Sequence, residues 1–381
     1  MKKKRNWVGH ILMAIFKLFP IKKNRIYFSS RYGQHYACNP KAYFEYLYKN
    51  HHDEFEFYYC LNKNENVLPK DVKTAKFMSL KDMYYLHTSK YVVTNVRMPM
   101  IYAKRKKQIY IQTWHGGPIS YKMIEKDQTN ITKANLWNAK VDGAQIDMLL
   151  VGSIQSQKVM DNCFFCDNKT VLTGNPRCDI LVNKNPEEVD KILNKIGLSK
   201  NDYIVLYAPT FRDQQDIKQS IINNELLKQN FEKITDKNVK ILYRFHPKLA
   251  KQGKDLQFED YVVNVTSYSD MQDLVLISDI MITDFSSCMF DMVVADKPCI
   301  IYTNNGDQYL TQERGVYFPS KELPFPVANT EDELQDIIKN LKQDIDKYLQ
   351  EEREFMAKNG SVEDGHACER LYKEMMKRWK L

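Results

Sequence analysis

Trp114-His115-Gly116-Gly117-Pro118 sets an imidazole beside an aromatic ring and two glycines. Glycine lets a substrate approach the backbone closely. An imidazole titrating near neutrality can take a proton from a hydroxyl. A second histidine, His246, stands between Phe245 and Pro247. Two of only eight histidines in glycine- or proline-bounded settings point to function rather than packing. Arg212, Arg244 and Arg314 suit an anion, because a guanidinium pairs bidentately with phosphate. Ser286 and Ser287 precede the apolar run Met289–Ala295. Unpaired N–H groups and the positive end of a helix dipole at such a place hold phosphate. The plainer role for the two serines is an N-cap, which is compatible with binding. The chemistry on offer is therefore handling of a polyphosphate ligand beside a proton acceptor.

These residues need elements that bring them together. Short, near-continuous apolar runs at Arg25–Ser29, Phe55–Leu61, Tyr91–Thr94, Ile109–Thr113 and Ile146–Val151 predict one set of buried strands. Tyr203–Tyr207, Val239–Phe245, Tyr261–Val265, Ile280–Thr283 and Cys299–Tyr302 predict a second set. Such runs fit parallel strands covered on both faces. Helical stretches fall between them at Pro40–Asn50, Ser79–Ser89, Ser153–Cys163, Ile221–Ile234 and Ser287–Ala295. Strand alternating with helix gives an α/β class with two doubly wound sheets. Open α/β sheets bind ligands beyond the carboxyl ends of their strands. The unusual residues lie there: Trp114–Pro118, Thr173–Asp179, Ala208–Asp213, Arg244–Pro247 and Asp284–Ser287. The expected organisation is a leading segment over 1–24, a first Rossmann-like domain over 25–185, a second over 186–345 and terminal helices over 346–381.

At 381 residues the chain is long enough for two such domains. Lys plus Arg number 56 against 48 Asp plus Glu, an excess that suits an anionic partner. No zinc-finger spacing, RNP-like motif or basic region followed by heptads occurs, so nucleic acid is not an expected partner. The eight cysteines are scattered, and Cys163-Phe-Phe-Cys166 has no second pair to complete a zinc site. Reduced structural thiols are expected, Asp284 lacks the clustered carboxylates of a metal site, and the sequence calls for no metal or cofactor. In the leading segment, Lys2, Lys3, Lys4 and Arg5 precede Trp7, Ile11, Phe16 and Phe19, and Lys22 and Lys23 follow. Its apolar run is too short to cross a bilayer, which takes about 20 residues. Trp and Phe with flanking lysines fit an interfacial helix on the anionic, cytoplasmic face of a membrane. The competing reading is an amphipathic helix packed on its own domain.

At five of its motifs the chain resembles the CDP-glycerol:poly(glycerophosphate) glycerophosphotransferases of teichoic-acid and capsule synthesis. Gln112-Thr113-Trp114-His115-Gly116 is similar to that family's Trp-His-Gly signature. Thr173-Gly174-Asn175-Pro176-Arg177-Cys178-Asp179 is similar to its Gly-x-Pro-Arg-Asn-Asp, and Ala208-Pro209-Thr210-Phe211-Arg212-Asp213 to its Ala-Pro-Thr-Trp-Arg. The remaining likeness runs over Ile277–Pro298 and continues to Arg314-Gly315-Val316-Tyr317-Phe318. The resemblance implies a GT-B-like fold with the active site between two Rossmann-like domains. It further implies a CDP-glycerol or related CDP-polyol donor held mainly by the second domain, and a lipid-linked glycan or polymer acceptor at the membrane surface. The family's two motif histidines map onto His115 and His246. Gly116, Arg177, Thr210, Arg212, Arg244, Pro247, Asp284, Ser286, Ser287, Asp291 and Arg314 form the candidate substrate-binding set. Where the family usually has Thr-Pro-Leu-Lys after Trp-His-Gly, this chain has Gly117-Pro118-Ile119-Ser120, with Lys122 nearby.

The expected reaction is attack by an acceptor hydroxyl on the donor's β-phosphorus, with release of CMP. His115 is the candidate base and His246 a candidate contact to the pyrophosphate, the cations offsetting charge on phosphoryl oxygens. Two rivals share the fold: a GT-B glycosyltransferase using a nucleotide sugar, and a non-catalytic membrane-bound scaffold. Glycerol against ribitol, and self-association into a homo-oligomer, stay open at this level.

Overall fold

The computed structural model describes residues 14–63, 67–99, 101–128, 131–210, 217–246, 249, 252–304 and 315–379. Two wholly parallel sheets organise them. The first has seven strands: β1 (Lys22–Ser29), β2 (Glu56–Cys60), β3 (Lys73–Ala75), β4 (Ser89–Thr94), β5 (Ile109–Gln112), β6 (Met148–Val151) and β7 (Thr170–Leu172). Their spatial order is β3-β2-β1-β4-β5-β6-β7. The second has six: β8 (Tyr203–Ala208), β9 (Val239–Tyr243), β10 (Val262–Asn264), β11 (Ile280–Thr283), β12 (Cys299–Tyr302) and β13 (Val327–Ala328). Their order is β10-β9-β8-β11-β12-β13. In each sheet the chain runs outward from the first strand, then returns to lay the fourth strand against the other side of the first. The reversals fall between β1 and β4 and between β8 and β11. These are the crevices where doubly wound sheets hold ligands.

The apolar strands are buried because helices cover both faces of each sheet. One face of the first sheet buries Ile26, Phe28, Tyr59, Val93 and Ile111 under the helix Cys38–Asn50, which contributes Tyr43, Phe44 and Leu47. The helix Ala367–Arg378 adds Cys368, Leu371 and Met375 to that same core. The C-terminus therefore crosses back to the first sheet after the helix Glu331–Lys358 has packed Leu334, Ile338 and Leu341 against the second. At the return, Glu363 accepts hydrogen bonds from the backbone and side-chain nitrogens of Asn175 at 3.0 and 2.7 Å. Desolvation pushes its half-buried carboxyl up to about 8.

Helix ends follow local signals. Ser79, Ser153, Asn223 and Thr330 each accept a backbone N–H as N-caps. At the boundary expected between residues 185 and 186 the helix Pro186–Ile196 begins, capped by Asn185 and closed by Gly197 at φ +83°. All eight cysteines are free thiols, as their scatter implies.

Residues 1–13 of the leading segment lie outside the described residues. Over the remainder, Ile15, Leu18 and Phe19 are exposed, Leu18 at 84%. The rings of Phe16 and Phe19 sit edge-on to Tyr84. Among the described residues, no helix is long and apolar enough to cross a membrane.

Candidate active site

A cleft of about 260 Å³ opens where the carboxyl ends of the two sheets face each other. Its walls include Arg31, His115, Arg177, Thr210, Arg244, His246 and Ser286. One or more residues from each of the five strand-end motifs therefore meet at one place. Arg212, Pro247 and Arg314 lie outside the described residues.

His115 follows β5. Its Nδ1 lies 2.6 Å from the carbonyl oxygen of Asn95, just beyond β4. A carbonyl only accepts, so Nδ1 carries a proton. Asn95 is itself fixed, accepting the Arg31 backbone N–H at 2.9 Å and donating to Ser30 Oγ at 3.1 Å. The loop carrying His115 is held from behind by buried Asn39. Its Nδ2 donates to the carbonyls of Thr113 and Trp114 at 3.1 and 3.2 Å. Its Oδ1 accepts the Arg177 backbone N–H at 3.0 Å. Trp114 sits at φ +52°, a left-handed conformation that costs a bulky residue about 1–3 kcal/mol. Gln112 Oε1 accepting the Trp114 N–H at 2.9 Å helps hold it there.

Arg177 and Asp291, both expected to touch substrate, touch each other. Arg177 Nη2 donates to both Asp291 oxygens at 3.1 Å, and Nη1 donates to the His115 carbonyl at 3.1 Å. Arg177 is 7% exposed and Asp291 1%. Burial alone would lower the guanidinium's pKa, but Asp291 overrides it and holds the group well above its usual value. Gln272 Nε2 adds a donor to Asp291 at 2.9 Å. Arg177 also lines the cleft, so it joins the two halves while standing at the site. A second tie crosses nearby, with Lys41 Nζ donating to Asp270 and Asp273 at 2.9 and 3.3 Å. A third is a backbone bridge, with Met123 N donating to Gly315 O and Tyr317 N to Tyr121 O at 2.9 and 2.7 Å.

From the second sheet, Thr210 after β8 donates from its N–H to Asp284 after β11 at 2.8 Å, and its hydroxyl bonds the same oxygen. That contact spans the second crevice and leaves Asp284 positioning Thr210 from a buried site. Arg244 Nη1 donates to the carbonyls of Val265 and Thr266 at 2.7 and 2.6 Å and to that of Tyr268. Burial lowers its pKa to about 10, which still leaves it cationic at neutral pH. The short helix after Ser286 and Ser287, Met289–Val294, has Cys288 at its N-cap and no side-chain capping bond. The plain N-cap role considered for the two hydroxyls does not hold; Ser286 instead lines the cleft and accepts from Cys288 Sγ at 3.0 Å.

The family model described as CDP-Glycerol:Poly(glycerophosphate) glycerophosphotransferase matches residues 11–377. The chain belongs to this family. It is 29% identical over 386 residues to a teichoic acid glycerol-phosphate transferase of Staphylococcus aureus, covering 97% of this chain and 98% of that one. It is 30% identical to a teichoic acid poly(glycerol phosphate) polymerase of Bacillus spizizenii, covering 88% of each. Its fold superimposes on a histidine variant of the wall teichoic acid polymerase TagF soaked with CDPG, with a TM-score of 0.85 and 26% identity. That match covers 98% of this chain and 94% of the other. The two doubly wound sheets expected from the strand pattern, and the GT-B-like fold that the resemblance implies, are the architecture found.

Sequence reading did not find Arg31, Asn39 or Asn95. The loop after β1 could have been flagged because it follows a strand at a crevice. The two asparagines act through backbone carbonyls and leave no motif.

Removing one partner of a buried ion pair strands the other charge. Arg177→Ala should therefore lower the unfolding free energy by about 3–5 kcal/mol in urea titrations. A loss below about 1 kcal/mol would show that the pair does not hold the halves together.

Proposed function

We propose that this enzyme transfers glycerol phosphate from CDP-glycerol to a hydroxyl of a teichoic-acid-type acceptor, releasing CMP. The observation that carries the reading is His115. Its tautomer is set by Asn95, and it stands at the lip of a cleft whose far wall supplies Arg244, His246 and Thr210. The two sequence relatives named for glycerol phosphate support glycerol over ribitol.

In this account the pyrophosphate lies against Arg244, His246 and the Ser286 edge. The acceptor oxygen attacks the β-phosphorus, and the bond from that phosphorus to the bridging oxygen breaks. CMP leaves with the bridging oxygen, and the acceptor's proton passes to His115 Nε2. The cations stabilise charge on the phosphoryl oxygens, where phosphoryl transfer gains most of its rate. Arg177 fixes the backbone of the base, so Arg177 and Asp291 contribute by positioning it.

His115→Ala should lower turnover of CDP-glycerol by about two to four orders of magnitude while CDP still binds, measured by CMP release and calorimetry. Near-wild-type turnover would remove His115 from the mechanism. Faster release of nucleotide from a nucleotide sugar than from CDP-glycerol would favour the glycosyltransferase reading.

We place the enzyme peripherally on the cytoplasmic membrane surface through residues 1–24. The support is the basic-aromatic composition of that segment and the exposure of Ile15, Leu18 and Phe19. Co-sedimentation with anionic vesicles should fall on deletion of residues 1–24 and weaken at high salt. Undiminished binding by the truncated protein would locate the membrane contact elsewhere.

A further inference from the structure

A cavity of about 530 Å³ lies at the amino ends of β1 and β4, beside the turn that leads into β5. The strands of the first sheet run parallel, so this end is opposite the one that opens on the catalytic cleft. Along β4 alone, Lys90 and Thr94 stand about 13 Å apart. The cavity is larger than the cleft of about 260 Å³ and falls within the roughly 300–1,000 Å³ of small-molecule sites. No step of the transfer reaction uses it.

Its charged lining is cationic throughout. Lys23 comes from β1, Lys90 from β4, and Arg105 and Lys107 from the turn before β5, with no acidic side chain among the lining residues. The acid that acts on Lys90 is Asp147, and it is already engaged by Lys104 Nζ and by the Tyr110 N–H at 2.8 Å. Burial lowers the pKa of Lys90, and Lys107 and Lys23 lower it further against the pull of Asp147. Like charges gathered round one space repel, and an anion entering it relieves them. The cations are also held in place. Lys90 Nζ donates to the Lys107 carbonyl at 2.9 Å. Arg105 Nη1 donates to the carbonyls of Phe19 and His87 at 2.7 and 3.0 Å. Those two bonds fix the plane of a guanidinium whose fork of donors matches phosphate oxygens. Buried Tyr91 forms a firm wall, its hydroxyl donating to the Trp379 carbonyl at 3.0 Å. Tyr91, Pro20 and Ile21 add apolar surface beside the charges, which suits an ester of phosphate.

We propose that this cavity is a second anion site, separate from the catalytic cleft, and that it binds a phosphate group through Lys23, Lys90, Arg105 and Lys107. Two sources carry that chemistry, the headgroup of an anionic phospholipid and a free phosphate ester. The guanidinium that would meet the phosphate also holds the Phe19 carbonyl, so occupancy would steady the end of the leading segment against the first sheet. The site is remote from His115 and does not depend on the transferase reading.

The test titrates inorganic pyrophosphate into the full-length protein by calorimetry, with CDP present at saturation to occupy the cleft. Lys90→Gln combined with Lys107→Gln should weaken pyrophosphate binding about tenfold or more, as expected for lost hydrogen bonds to a charged group. Lys90→Arg with Lys107→Arg should restore most of it. Lys321→Gln with Lys342→Gln removes the same charge at exposed positions elsewhere and should change the affinity little. Should the paired change unfold the protein, Lys23→Gln at an exposed side chain carries the same comparison. Co-sedimentation with phosphatidylglycerol vesicles then names the source. Vesicle binding lost together with pyrophosphate binding assigns the site to a lipid headgroup, and vesicle binding kept while pyrophosphate binding is lost assigns it to a soluble phosphate ester. No pyrophosphate binding by wild type would overturn the proposal. So would wild-type affinity in the Lys90 and Lys107 variant, or an equal loss in the Lys321 and Lys342 control. Failure of CDP to bind would count against the transferase reading alone, because the comparison between the two variant pairs does not need it.

Discussion

Two separately folded sheets share one site only if their strand ends stay in register across the gap. The buried pair Arg177–Asp291 is the contact on which that register depends. Arg177 comes from a motif after β7, and Asp291 from the short helix after β11. The guanidinium that satisfies the carboxylate also donates to the His115 carbonyl. The same residue thus binds the halves together and sets the backbone of His115. A buried ion pair adds little net stability over apolar packing, but once built it strongly penalises any arrangement that separates its members. Its value here is geometric.

The pair is one layer of a chain of supports. Asn39 joins the Arg177 N–H to the carbonyls of Thr113 and Trp114, and Asn95 fixes the imidazole tautomer. Lys41 with Asp270 and Asp273, and the bridge between Tyr121–Met123 and Gly315–Tyr317, repeat the cross-link at other points. Positioning matters in phosphoryl transfer because the protein supplies little covalent chemistry of its own. The fold meets that demand by spending buried polar groups on the loop that carries His115.

Much of this was legible in the residues. Central parallel strands are buried on both faces and write themselves as continuous apolar runs, so β1, β8, β11 and β12 were located closely. Edge strands are short and half-covered, so Lys73–Ala75 and Val327–Ala328 left no comparable run. The domain boundary expected between 185 and 186 falls on Asn185-Pro186, which opens a helix that Gly197 closes. Composition does not say what that helix packs on. That His115, His246, Arg177 and Arg244 share one cleft was legible because all four follow strand ends. Whether an arginine faces a ligand or a carboxylate depends on an aspartate 114 positions away, and no local pattern reports that for Arg177.

The central claim is a single displacement in which His115 removes a proton and does not itself become phosphorylated. Its most direct test is the stereochemical course at the transferred phosphorus, using CDP-glycerol made chiral there by one non-bridging sulfur. One in-line attack by the acceptor hydroxyl predicts inversion of configuration in the product phosphodiester. Retention would mean two successive displacements through a covalent enzyme intermediate, and would contradict the account given for His115.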